Sequence, residues 1–256
     1  RQFGKEGSFH MSTANKSSNR WLALMSATLA FTFTFLSRFT WAPLMSTVME
    51  EFSINATQAG LYMSAFFAGY CITQIPGGIM ADKLQPKYIL IIATLLGGVC
   101  TALMALIGGY TMGLVVRIVN GLCSGVIMSS CSKIVTANFA PKERATGMGI
   151  LLASPPIGIL LANQIAPRLM HAVGWRGTFA YVSLFAVLVI VCLFLFVKPI
   201  PKALAPAGKA GLLEGLVVYF KDPQQIILAL SGFMFMFVNN GFSTWGNKFA
   251  QSIGLT

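Results

Sequence analysis

Six runs of mostly apolar residues, each long enough to cross a lipid bilayer, follow one another along this chain, and a seventh begins near residue 225. A hydrocarbon core about 30 Å thick is crossed by about 20 residues rising about 1.5 Å each. The runs lie at 21–45, 56–81, 87–109, 112–139, 145–170 and 178–197, with the seventh at 225–249. Hydrophobic residues make up 55% of the chain and charged residues 10%, against about 25% charged in a soluble domain. One soluble core cannot hold that much apolar surface, so lipid must solvate most of it. The expected fold class is an all-α polytopic membrane protein, with the lipid bilayer as its first partner.

The surplus of 18 Lys and Arg over 7 Asp and Glu, a net charge of +11, would point to nucleic acid in a soluble protein. Here the bases sit mainly in the breaks between runs, without the interleaved aromatics of a nucleic-acid groove. No nucleic-acid partner is expected. Lys16, Arg20, Lys83, Lys87, Lys142, Arg144, Lys198, Lys202, Lys209 and Lys221 share one face, while Arg168, Arg176 and Lys248 lie on the other beside Glu50 and Glu51. An excess of bases marks the cytoplasmic face. The N-terminus is therefore expected to be cytoplasmic, and the membrane is expected to be a bacterial inner membrane.

Residues 1–20 are polar and stand outside the fold, with Met11 a candidate native start, and residues 21–197 hold the six-span bundle. Residues 198–224 read as a cytoplasmic linker. In it Pro199, Pro201 and Pro206 precede 210–220, where Leu212, Leu213, Leu216, Val217 and Phe220 recur at helical spacing. That pattern predicts an interfacial amphipathic helix. Residues 225–256 begin the seventh span. Five cysteines lie inside apolar runs without metal-ligand spacing, and both histidines, His10 and His171, lie outside the spans. No cofactor, metal site or enzymatic reaction is expected. A weak repeat pairs Leu61, Ser64, Gln74 and Ile75 with Leu151, Ser154, Gln164 and Ile165 at an offset of 90, as an inverted repeat of three spans plus three would leave.

The break after the second run reads Gly78-Ile79-Met80-Ala81-Asp82-Lys83-Leu84-Gln85-Pro86-Lys87. It resembles the signature loop of the major facilitator superfamily, with Gln85 where the family has Gly and Pro86 where it has a base. Gly77 and Gly78 would let helix backbones approach closely, and Asp82 beside Lys83 would make a charge latch that breaks as two halves rock. Arg117 with Gly121 and Gly125, the loop Pro141-Lys142-Glu143-Arg144-Ala145-Thr146-Gly147, and the turn Gly174-Trp175-Arg176-Gly177-Thr178-Phe179 are similar to further family patterns in the same order. The resemblance implies a major facilitator fold. It predicts an N-terminal six-helix bundle, an interfacial helix and a seventh span, with the second half of a twelve-span protein absent from this sequence. It also assigns Gly78, Asp82, Lys83, Arg117, Glu143 and Arg144 to gating.

Charges at membrane depth are costly unless they meet a partner or a wet cavity. Arg38, Arg117 and Lys133 lie inside runs, whereas the seven acidic residues all fall at ends or in loops. Cations without carboxylate partners suit an anionic ligand, because a guanidinium binds carboxylate, sulfonate or phosphate bidentately. The stretch from Arg38 to Phe52 resembles the first span of the organic-anion symporter branch, whose equivalent Arg contacts substrate. The alternative is an Arg snorkelling to the outer interface. Arg117 is assigned to helix organisation or proton coupling, and Lys133 is balanced between cavity lining and snorkelling. Ser124 stands where that branch often has a Glu, so the coupling ion, proton or sodium, stays open.

Tyr62, Tyr70, Gln74, Ser154, Asn239, Asn240 and Trp245 are candidates to reach the cavity, and Arg38, Tyr70, Gln74, Lys133, Asn239 and Asn240 form the proposed substrate set. Pro155 and Pro156 are expected to kink the fifth span. Phe31, Phe33 and Phe35 read as lipid-facing or packing surface. The leading reading is a secondary active transporter that moves a small organic anion, a carboxylate or sulfonate, by alternating access. The missing C-terminal half would be its partner. Two alternatives stand: a drug or metabolite exporter, and a nontransporting membrane sensor or assembly subunit.

Overall fold

Every secondary-structure element in residues 17–200 and 222–254, the parts that the computed structural model describes, is helical. The interfacial helix expected at 210–220 and most of the polar tail lie outside the described residues. The helices are α1 (Ser17–Phe39), α2 (Trp41–Phe52), α3 (Ala56–Lys83), α4 (Pro86–Leu103), α5 (Tyr110–Ser124), α6 (Ile127–Asn138), α7 (Arg144–Leu152), α8 (Ser154–Phe196) and α9 (Pro223–Ser252), with a short 3-10 turn at Met104–Leu106. Five stretches are long and apolar enough to cross a membrane: Arg20–Phe52, Pro86–Leu106, Tyr110–Asn138, Arg144–Phe196 and Pro223–Gly246. The 28-residue α3 has the length as well, and carries more polar residues because part of it lines a cavity.

The first span runs seven residues beyond the expected Met45, through a break at Thr40 and on to Phe52. It stops at Ser53, in the left-handed region at φ 52. Asn55 then caps α3, accepting from the Gln58 amide at 2.8 Å while the Gln58 side chain accepts from the Asn55 amide at 2.9 Å. That reciprocal pair satisfies two free donors of the new helix. The fourth span is interrupted between α5 and α6, and the fifth at Ala153. Pro155 and Pro156 sit in the first turn of α8, where a missing N–H costs no helical bond. The fifth span breaks there, as the sequence predicted.

A straight helix of 43 residues would run about 65 Å, far beyond a bilayer core. Gly174 divides α8 with φ 72 and ψ 175, a conformation that only glycine adopts without strain. Leu151 and Leu193 share one buried cluster, with Leu24, Leu90 and Val135. Ala162 and Phe179 share the other, with Trp41, Tyr62 and Met104. The chain thus runs from one end of the bundle to the other and returns, giving two antiparallel crossings, spans five and six. Six crossings enclose these two apolar clusters. Between them lies a layer of buried polar groups, among them Ser37, Arg38, Thr101, Arg117 and Asn120.

The backbones of α3 and α5 touch. A Cβ at Gly121 would collide with the Phe66 carbonyl oxygen, and one at Gly69 with that of Ile118, the close approach that small residues permit between membrane helices. In the signature loop only Gly77 serves this purpose, with a Cβ position 2.8 Å from the Val126 Cα. Gly78, expected to share that role, has as its nearest neighbour Ser129 Oγ at 4.0 Å.

Candidate functional site

A cavity of about 1290 Å³ opens among α1, α3, α6, α7, α8 and α9. Five of the six residues assigned to substrate from sequence line it: Arg38, Tyr70, Gln74, Asn239 and Asn240. Arg38 stands in the last turn of α1 and is only 4% exposed. It does not snorkel to the outer interface. Its guanidinium carbon lies 4.2 Å from the centre of the Phe35 ring, 4.8 Å from Phe39, 5.0 Å from Phe67, 5.4 Å from Phe66 and 6.0 Å from Tyr70. Rings contribute a negative face to a cation. Among the described residues no carboxylate pairs with Arg38, and its Nε is buried without a hydrogen-bond partner.

The aromatic cage was not foreseen. Phe35 is three residues before Arg38, hence on the same helix face, and it faces the cation rather than lipid. Phe31 also lines the cavity, and Phe33 is buried against Phe185 at 6.3 Å between ring centres. Phe66 and Phe67 come from α3 and reach Arg38 only through tertiary packing.

Arg117 is 1% exposed. Its Nη1 donates to the carbonyl oxygen of Arg38 at 3.4 Å, and its guanidinium lies 5.5 Å from the Trp41 ring and 5.7 Å from that of Phe179. Its Nε and Nη2 have no partner, nor does the neighbouring Trp41 Nε1. Ser37 Oγ and Thr101 Oγ1 are 2.6 Å apart, and Asn120 Nδ2 donates to Ser37 at 3.4 Å. Ser124, where a Glu was considered, is buried and donates to the Asn120 carbonyl at 2.8 Å.

Lys133 was expected to lack a carboxylate partner. Instead it pairs with Asp82, because the second span ends beside α6, and it is not among the cavity-lining residues. Asp82 thus meets Lys133 rather than its neighbour Lys83, which is exposed. Glu143 pairs with Arg20 at 2.8 Å, and Arg144 Nε donates to the Phe139 carbonyl at 3.2 Å. Two other cavity candidates pack instead. The Tyr62 hydroxyl donates to the Tyr110 carbonyl at 3.1 Å, and Ser154 donates to the Thr28 carbonyl at 3.1 Å. Trp245 does line the cavity.

The described helices thus form a multi-pass bundle with a cavity that a buried cation faces. The chain belongs to the Major Facilitator Superfamily, whose family model matches residues 27–256. It is 28% identical over 205 residues to the hexuronate transporter of Bacillus subtilis strain 168, covering 77% of this chain and 49% of that protein. It is 33% identical over 132 residues to the probable sulfoacetate transporter SauU of Cupriavidus necator, covering 52% of this chain and 31% of that protein. The probable L-galactonate transporter of Escherichia coli K12 is 28% identical over 141 residues, covering 55% and 31%. The chain therefore spans between about a third and a half of these relatives. A bacterial homolog of the human lysosomal transporter Spinster, in an inward-facing, unoccupied conformation, superposes with a TM-score of 0.82 at 20% identity, covering 94% of this chain and 57% of that one. That likeness shows the fold.

Proposed function

We propose that this chain supplies the N-terminal half and the seventh span of a secondary active transporter for a small organic anion, a carboxylate or sulfonate, working by alternating access. The observation that carries the reading is Arg38, a buried cation lining the cavity with no carboxylate partner among the described residues. A ligand's anionic group supplies the missing charge, and the planar fork binds it edge-on. The names of the hexuronate, sulfoacetate and galactonate transporters support the same class of cargo. Tyr70, Gln74, Asn239 and Asn240 contact the bound solute from the cavity wall.

Gly78, Asp82, Lys83, Glu143 and Arg144 form the cytoplasmic gate, and Arg117 holds the α1–α2 break. The ion pairs Asp82–Lys133 and Arg20–Glu143 both lie within this half, so they move with it as the C-terminal half rocks against it. The protein sits in a bacterial inner membrane with its N-terminus inside. Coupling to a proton or sodium ion uses groups other than residue 124, whose hydroxyl carries no proton at issue.

Uptake by cells expressing the full-length protein tests this. Arg38→Gln should abolish uptake of the transported anion, and Arg38→Lys should reduce it more than tenfold, at unchanged membrane abundance. Uptake retained by Arg38→Gln would overturn the reading.

A further inference from the structure

The first turn of α4 packs on the last turn of α8, where Ile89, Leu90, Leu193 and Val197 share one buried cluster. Gln85 fixes the chain just beyond, through both backbone groups of Ile200. Lys87 Nζ donates to the Phe194 carbonyl at 2.9 Å and lies 5.0 Å from the centre of the Phe194 ring. Lys198 stands four residues further along the same chain and is exposed, as is Lys83 before the turn into α4. Three positive charges therefore gather at one end of the groove between α4 and α8. Among the described residues no carboxylate pairs with any of them, because Asp82, beside Lys83, is taken by Lys133. An ammonium has three donors, and Phe194 receives one from Lys87.

Next to these charges the surface turns apolar. Ile92 and Leu95 on α4, and Val191, Phe194 and Leu195 on α8, all expose about half or more of their side chains. Tyr88, 51% exposed, stands at the boundary, where amphipathic rings mark the headgroup level of a bilayer. Neither α4 nor the part of α8 beyond Ile159 lines the cavity, and α9 packs against α2. The groove is thus on the side turned away from both. A water-soluble anion would use the lysines alone. An anion that carries acyl chains uses the lysines and the apolar strip that continues from them.

We propose that the groove between the start of α4 and the end of α8 holds one anionic phospholipid, with its phosphate on Lys87 and Lys198 and its acyl chains along the exposed apolar side chains below. The site is separate from the cavity and independent of the cargo assigned to Arg38. Bases at the membrane surface attract anionic lipid individually. Here the packing of α4 on α8 holds two of them over one groove, so the first lipid binds more tightly than those that follow.

Native mass spectrometry of the full-length protein, delipidated in detergent and titrated with phosphatidylglycerol or with phosphatidylcholine of the same acyl chains, tests the proposal. The first phosphatidylglycerol should bind about tenfold more tightly than phosphatidylcholine. Lys87→Gln with Lys198→Gln should weaken it by about tenfold, since each base near an anionic surface contributes roughly equally. Lys198→Gln alone, which removes no hydrogen bond within the protein, should weaken it about threefold and covers the case in which the double variant fails to fold. Lys142→Gln, an exposed base at the same end of the bundle but outside the groove, should leave it unchanged. An equal loss in Lys142→Gln would show diffuse surface charge and overturn the proposal, as would unchanged phosphatidylglycerol binding in the double and single variants. Displacement of the first lipid by millimolar inorganic phosphate would reveal a site for a free anion and overturn it as well.

Discussion

The side chain of Arg117 donates to the backbone carbonyl of Arg38 across 79 positions of sequence, at 3.4 Å. The bond falls where α1 ends, so the carbonyl it meets has lost its regular helical partner at the Thr40 break. One buried cation thereby fixes the backbone that presents the other to the cavity. If Arg38 anchors the anion, Arg117 positions it.

That arrangement sets stability against function. Arg117 keeps two guanidinium nitrogens buried without partners, and replacing such a group with an apolar side chain of similar volume is often neutral or stabilising. Arg117→Met should raise unfolding stability by about 1 kcal/mol while weakening anion binding at least tenfold. Thermal melts and ligand titration of the same variant check both halves, and a destabilised variant with normal binding would refute the positioning role.

The α3–α5 contact leaves no room for a methyl group. Gly121→Ala forces a Cβ into the Phe66 carbonyl and should cost about 2–3 kcal/mol, as overpacking does. Gly108→Ala, where a Cβ meets nothing within 4 Å, should be close to neutral. Melting temperatures of the two variants, compared side by side, give the test.

Gln85 clasps the chain after the sixth span. Its Nε2 donates to the Ile200 carbonyl at 2.8 Å and its Oε1 accepts from the Ile200 amide at 2.9 Å. Ile200 stands between Pro199 and Pro201, so its amide is the one N–H in that triplet. Gln85→Ala should cost about 1 kcal/mol and speed hydrogen exchange at the Ile200 amide, with exchange in α4 unchanged. Unaltered protection at Ile200 would show the clasp to be absent in solution.

Asp82 and Lys133 form an ion pair whose carboxylate is 64% exposed. Pairs of this kind contribute less than about 1 kcal/mol and weaken with salt. A double-mutant cycle with Asp82→Asn and Lys133→Met should return a coupling below that value. If Asp82 serves the gate, Asp82→Asn will lower transport rate far more than its effect on stability predicts. A proportionate loss would reduce the pair to a packing contact.

Much of this was legible before any coordinates. Long apolar runs and basic breaks announce helices in lipid because length and solvent leave few alternatives, and Arg38 was conspicuous because a cation at that depth needs a reason. Asn55 and Gln58, by contrast, were legible only locally. What escaped was contact across sequence. The rings of Phe66 and Phe67 meet Arg38 from a different helix, Asp82 reaches Lys133 over 51 positions, and Gln85 finds Ile200 over 115. Periodicity reports which face of a helix is apolar, and says nothing of which neighbour will cover it. Proline marks two of the breaks inside spans: Pro155 and Pro156 foretold the one at Ala153, and Pro43, in the first turn of α2, marks the one at Thr40 without having been used for it, whereas the break at Gly125 has no proline beside it.

The dependence of Arg117 on Arg38 also bears on the order in which the protein is made. A spanning helix that carries an arginine enters the bilayer at a cost that reaches about 2.5–3.5 kcal/mol on insertion scales when the residue sits at its centre. When α5 leaves the ribosome, α1 and α2 have already been synthesised, and with them the carbonyl of Arg38 and the ring of Trp41 that receive the charge. The first span is in this sense a chaperone for the fourth, and a protein assembled with the order of those two spans reversed would meet its hardest insertion step before its acceptor existed.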